Sequence, residues 1–130
     1  MNKNKNKILI VDDDEAIINM EKLAFSRAGY DVVSAEDGEQ ALKILQRENI
    51  HVVFTDLNMP EMNGIELCMA IRKLTPMAVV FAVTGFASLF ELAECREAGF
   101  EDYFVKPVNL KKLVETAKNA FEKLNRWKTS

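Results

Sequence analysis

Histidine is nearly absent from this 130-residue chain, with only His51, and cysteine occurs just twice, at Cys68 and Cys95. The two cysteines are 27 residues apart and form no C-x-x-C pair, so a structural zinc site is excluded and a reducing compartment is the natural setting. Both fall within amphipathic patterns and are expected as small buried apolar residues. His51 precedes a strand pattern and is expected to be solvated. No run of 18 apolar residues exists for a membrane span, and the polar start is followed by a strand rather than a secretory core, so the expected compartment is the cytoplasm. Nor is there a surplus of basic charge. The net charge is −3, which disfavours a direct nucleic-acid partner.

What is present suits one globular domain. Hydrophobic residues make up 48% and charged residues 28% of the chain, and folding at this length buries roughly two thirds of the unfolded surface. Residues 1–6, within the lysine- and asparagine-rich MNKNKNK, are expected as a disordered tail. Residues 7–124 form the expected domain and 125–130 a C-terminal tail. No effector domain is expected within this chain, and 122–130 would be a linker stub if the domain were cut from a longer protein.

Short apolar runs alternate with helical patterns. Ile8–Val11, Val32–Val33, Val52–Phe54, Ala78–Val83 and Tyr103–Val105 look like strands buried on both faces. Between them, Ala16–Ala28 carries Ile17, Met20, Leu23, Ala24 and Arg27 at helical spacing and stops at Gly29. Asp37 caps a second helix, with Gln40 completing a capping box. Helices are also expected over Gly64–Leu74 and Ser88–Ala98. The last begins after Asn109, with Leu110, Leu113, Val114, Ala117, Phe121 and Leu124 as its stripe. Strict alternation of five strands with five helices gives an α/β, doubly wound, parallel sheet of flavodoxin-like order 2-1-3-4-5. Ligands in such folds bind beyond the carboxyl ends of the strands.

Charged and hydroxyl residues stand at those ends. Asp12 and Asp13 follow the first strand, Asp56 ends the third, Thr84 the fourth, and Lys106 with Pro107 the fifth. Asp14 is better suited to capping the first helix. Carboxylates brought so close repel by about 4 kcal/mol per pair at 4 Å and an effective dielectric near 20. Either their pKa values rise or a cation neutralises them, and a hard, oxygen-seeking Mg²⁺ suits such a cluster. Phosphoryl transfer needs charge neutralisation, which Mg²⁺, the Lys106 ammonium and the Thr84 hydroxyl supply, and Asp56 then serves as nucleophile.

The segments ILIVDDDE (8–15), TDLNMPEMNGIEL (55–67), VTG (83–85) and DYFVKP (102–107) resemble the signature of the response-regulator receiver domain of two-component signalling. Asp12 to Asp56, Thr84 and Lys106 are successively 44, 28 and 22 residues apart, in register with that pattern. The resemblance implies that Asp12, Asp13, Asp56 and the carbonyl of Asn58 hold Mg²⁺. It implies that Asp56 accepts phosphate from a histidine kinase or phosphotransfer protein, and that Thr84 and Lys106 contact the phosphoryl group. Tyr103 is the implied aromatic switch, which follows Thr84 inward. The small Gly85 leaves the site open, and Pro107 follows a cis bond that aims Lys106 into the pocket.

The implied output is remodelling of the face made by the fourth helix, fifth strand and fifth helix, where a downstream protein docks. No enzymatic activity is implied beyond intrinsic phosphotransfer and autodephosphorylation. Phe86 departs from the family, which often has a polar residue there. Phe86 and Phe90 either present an apolar patch to a partner, with Phe86 slowing hydrolysis, or are partly shielded by the last helix. The alternatives are a receiver excised from a hybrid kinase or larger regulator, and an aspartyl-nucleophile Mg²⁺ phosphotransferase. The latter lacks its second acid and room for a cap domain. A flavodoxin-type cofactor binder is disfavoured by the acidic loop after the first strand.

Overall fold

In the computed structural model, residues 6–85 and 88–129 are described, with side chains at all of them except Leu89, Phe90 and Thr129. Residues 1–5, most of the expected N-terminal tail, lie outside that range. The elements alternate as expected: β1 (Lys7–Val11), α1 (Glu15–Arg27), β2 (Asp31–Ala35), α2 (Gly38–Arg47), β3 (Val52–Asp56), α3 (Gly64–Leu74), β4 (Val79–Thr84), α4 (Leu89–Ala98), β5 (Asp102–Val105) and α5 (Leu110–Thr129). The five strands form one sheet in the order β2-β1-β3-β4-β5, and all of its pairings are parallel.

Alternation along the strands divides the core in two. Ile8, Ile10, Val52, Phe54, Phe81 and Val83 face α1 and α5, where they meet Ile18, Phe25, Leu113 and Ala117. Leu9, Val11, Val53 and Val80 face the other way, onto Ala41 and Leu45 of α2 and Leu67, Cys68 and Ile71 of α3. The Phe54 ring stacks on Phe81 at 4.8 Å between centroids and meets Phe25 at 5.1 Å. Every residue of β3 and β4 is buried. Such strands must be apolar on both sides, which is why their sequences run unbroken. Cys68 and Cys95 are both buried.

Local chemistry sets the helix ends. Asp14 caps α1 by accepting from the Ala16 amide. Asn63 and Glu66 form a reciprocal capping box at α3, and Ser88 and Glu91 do the same at α4. At α2, Asp37 accepts from the Gln40 amide as expected, but the Gln40 side chain accepts from the Glu36 amide, one residue outside the expected box. Gly99 closes α4 at φ 101°, a conformation that side chains resist. A Cβ there would also stand 2.7 Å from Arg72 Nε. The Arg72 guanidinium donates to the carbonyls of Gly99, Pro76 and Ala78, tying α3 to the segment between α4 and β5.

Further expectations need correction. The edge strand β5 is not buried on both faces: Asp102, Tyr103 and Val105 are exposed and Phe104 is half-buried. The buried face of α1 is Ile18, Glu21 and Phe25, one residue out of phase with the expected stripe, so Met20 and Leu23 stand 52% and 53% exposed. Helix α5 does not end at Leu124 but continues to Thr129, because 125–129 contain neither Gly nor Pro, and Arg126 and Lys128 suit the negative end of the helix dipole. His51 is half-buried rather than solvated; burial, and then the Lys128 cation, hold its pKa below the usual histidine value.

Candidate functional site

The sheet register gathers the strand tips. Val11 pairs with Ala35 and Thr55, Asp56 with Val83, and Thr84 with Val105. The residues of interest therefore lie at one edge of the sheet, beyond the carboxyl ends of its strands. Asp12, Asp13 and Asp56 each offer a carboxylate oxygen, and the three oxygens lie within 4.8 Å of one another. Asp12 and Asp56 are buried, whereas Asp13 is exposed. Three hard oxygen donors at this spacing, one of them open to solvent, fit a small divalent cation that retains some of its water.

Hydrogen bonds hold these side chains in place. Asp12 Oδ1 accepts from the Asp14 amide at 2.9 Å, and Asp56 Oδ1 from the Asn58 amide at 3.2 Å. The other oxygen of each faces Lys106, whose Nζ lies 3.0 Å from Asp12 Oδ2 and 3.4 Å from Asp56 Oδ2. Lys106 reaches this position from the end of β5, where its amide donates to the Thr84 carbonyl at 2.7 Å and its bond to Pro107 is cis, as expected. Thr84 is fully buried, and its hydroxyl accepts from the Asn58 side-chain amide at 3.4 Å.

The remaining expected residues are more dispersed. A side chain at Gly85 would meet nothing within 4 Å, so the approach there is open. Phe86 lies outside the described residues, as does the Phe90 side chain. Tyr103, on the edge strand β5, is 43% exposed. An 810 Å³ groove between α2 and the segment joining β3 to α3 shares only Asp13 with the cluster.

Burial and neighbouring charge both act on these groups. Burial raises the Asp56 pKa and Asp12 adds to the rise, against the opposing Asn58 amide and Lys106 ammonium. Burial pulls Lys106 down, but its bonds to Asp12 and Asp56 outweigh this and leave its pKa above the usual lysine value. Lysine charge alone therefore does not neutralise the pocket.

Two residues beside the site were not singled out from the sequence. Gly64 sits against the β3 terminus, and a Cβ there would stand 2.2 Å from the Asp56 carbonyl oxygen. Its place after Asn63 signalled only a helix start. Glu21, on the buried face of α1, is 2% exposed. Burial, then the charges of Asp12 and Asp56 against that of Lys106, raise its pKa to about 7. A carboxylate in the middle of a helical pattern gave no hint of this.

Residues 8–118 match the family described as the response regulator receiver domain. The chain belongs to that family. Among solved structures, a CheY-like receiver domain protein from Methanospirillum hungatei JF-1 superposes with a TM-score of 0.90 at 34% identity, covering 94% of this chain and 98% of the other. The chemotaxis protein CheY4 of Vibrio cholerae gives 0.84 at 31% identity, covering 89% and 98%. Among curated relatives, the alkaline phosphatase synthesis transcriptional regulatory protein PhoP of Bacillus subtilis (strain 168) is 37% identical over 107 residues, covering 82% of this receiver but 43% of PhoP. The probable transcriptional regulator ycf27 of Porphyridium aerugineum is 34% identical over 122 residues, covering 94% and 50%. The receiver thus spans half or less of these curated relatives. As a receiver it is a signalling module of two-component systems. No helix among the described residues is long and apolar enough to cross a membrane.

Proposed function

We propose that this receiver is a phosphorylation switch with Asp56 as the acceptor. The observation that carries the reading is the convergence of three carboxylates within 4.8 Å of one another, with the Lys106 ammonium 3.4 Å from Asp56. Asp12, Asp13, Asp56 and the carbonyl of Asn58 would hold Mg²⁺, which supplies charge neutralisation for phosphoryl oxygens when bound. An Asp56 carboxylate oxygen attacks the phosphorus of a phosphohistidine on a histidine kinase or phosphotransfer protein. The O–P bond forms as the N–P bond breaks, and the imidazole nitrogen leaves with the electron pair. Lys106 neutralises the transferred oxygens, the Thr84 hydroxyl donates to one of them, and the open approach at Gly85 admits the donor.

The response follows from how the strands are linked. Drawing the Thr84 hydroxyl to the phosphoryl group breaks its contact with Asn58. The amide of Lys106 is bonded to the Thr84 carbonyl, and Ala82 pairs with Tyr103, so displacement of the β4 end passes to β5. The half-exposed Tyr103 ring then moves inward, and the α4–β5–α5 face changes shape for a downstream protein partner. A 440 Å³ depression on this side, lined in part by Leu92, Cys95, Phe100 and Tyr103, gives that partner apolar surface.

The test is mass spectrometry after incubation with a small phosphodonor and Mg²⁺. One phosphoryl group is expected on the wild type and none on Asp56→Asn. Equal labelling of both proteins refutes Asp56 as the acceptor. The coverage of the curated relatives favours a second reading of context, in which the same switch is one module of a longer regulator. The encoding open reading frame decides it.

A further inference from the structure

Glu21 is a charged residue in the wrong place unless it has a use. It occupies the core-facing side of α1 between Ile18 and Phe25, where an apolar side chain would pack. Its Oε2 is buried with no hydrogen-bond partner. An orphaned buried oxygen is destabilising, and a leucine there would remove that cost. The groups that act on this carboxyl electrostatically are Asp12, Asp56 and Lys106, so it lies within electrostatic reach of the pocket.

Lys106 has the complementary problem. Its ammonium carries three donors, and its acid partners at bonding distance are Asp12 and Asp56. A cation held by those aspartates competes for the same carboxylates. The ammonium is then left half-buried, beside a like charge and short of acceptors. Glu21 Oε2 is a buried acceptor with no partner of its own, on a carboxyl that interacts electrostatically with Lys106.

We propose that Glu21 is a positioning residue that takes up the Lys106 ammonium when a divalent cation occupies the aspartates, and keeps it close until a phosphoryl group arrives. This rests on the reading of the pocket as a Mg²⁺ site. It assigns Glu21 no contact with the cation or the phosphoryl group. Its effect on cation binding passes through Lys106, and that separates it from a general influence of negative charge.

A double-mutant cycle tests this, with Mg²⁺ affinity measured by titration calorimetry at pH 8 for the wild type, Glu21→Leu, Lys106→Ala and the double variant. Loss of Glu21 is expected to weaken binding about tenfold when Lys106 is present and less than twofold when it is absent. Glu21→Gln keeps an acceptor but no charge, so it falls between, and it serves as the probe if the leucine variant does not fold. In ¹⁵N spectra the Lys106 ammonium signal is expected to move on Mg²⁺ addition to the wild type and to broaden through solvent exchange in Glu21→Leu. Equal losses in both backgrounds, or no loss in either, overturn the role of Glu21 and leave the Mg²⁺ site standing. A wild type that binds no Mg²⁺ overturns both.

Discussion

Substituting Glu21 gives a quantitative prediction in the metal-free protein. Burial raises its pKa from 4.5 to about 7 in the folded state. Below pH 4.5 the carboxyl is protonated in both folded and unfolded chains and makes no difference. As pH rises from 4.5 towards 7, the unfolded chain releases the proton while the folded chain retains it, so the native state loses relative stability. Above 7 the loss levels off at about 3 kcal/mol, against about 1 kcal/mol at pH 5. Urea unfolding with a chelator present, at pH 5 and pH 8, isolates the effect as the difference between Glu21→Gln and wild type. That difference is expected to grow in favour of the variant by about 2 kcal/mol between the two pH values, or roughly 7 °C in melting temperature. Glu21→Leu should show the same slope with an added pH-independent gain, because it also removes the orphaned oxygen. Parallel stability profiles for wild type and Glu21→Gln would refute the argument, since the carboxyl would then be no more costly to ionise folded than unfolded.

Gly64→Ala sets a methyl carbon 2.2 Å from the Asp56 carbonyl oxygen; a loss of about 3 kcal/mol is expected in denaturant unfolding, along with weaker Mg²⁺ binding as the end of β3 shifts. Arg72→Ala removes the bonds to the Gly99, Pro76 and Ala78 carbonyls and is expected to cost about 3 kcal/mol, with Arg72→Lys recovering less than half, because an ammonium cannot reproduce the planar fork. In metal-free protein, Asp56→Asn should be more stable than wild type above the ordinary carboxylate range, since the raised Asp56 pKa makes its ionised form the costly one in the folded state. Saturating Mg²⁺ should reverse that order in a thermal melt.

The legible parts of the sequence were those where one physical requirement acts alone. Strands β3 and β4 are covered on both faces, so apolar residues fill them up to the polar residues at their carboxyl ends, and the runs at Val52 and Ala78 stand out. Helix α1 was harder because two requirements meet on one surface. Its true inner face includes Glu21, so a search for apolar spacing settles on Met20 and Leu23 one residue away. The C-terminal extension of α5 was missed for a related reason. The apolar stripe ends at Leu124, but a helix ends at a breaker or a cap rather than where burial stops, and 125–129 contain no glycine or proline. Among the site residues, the carboxylates and Lys106 were legible because strand-end chemistry has few other uses. Gly64 was not, because its role is the absence of a Cβ opposite a backbone oxygen, which only the packing reveals.

A single imbalance connects the site with the fold beneath it. The Lys106 ammonium faces the Asp12 and Asp56 carboxyls, which cluster with that of Asp13, and interacts electrostatically with that of Glu21. Burial first, and then the neighbouring carboxylates, raise the pKa values of Asp56 and Glu21 against the opposing pull of this ammonium. A site with matched charges would be more stable when empty and would have less to gain from a divalent ion. Under the proposed function, the tips of β1 and β3 are short of positive charge when empty, so that cation binding, and then phosphoryl transfer, would relieve that unfavourable energy. The same surplus is the physical ground for the proposed movement of Lys106. A lysine fixed between Asp12 and Asp56 would satisfy the empty pocket and exclude the ion, whereas one with a second acid within reach can yield its place and return.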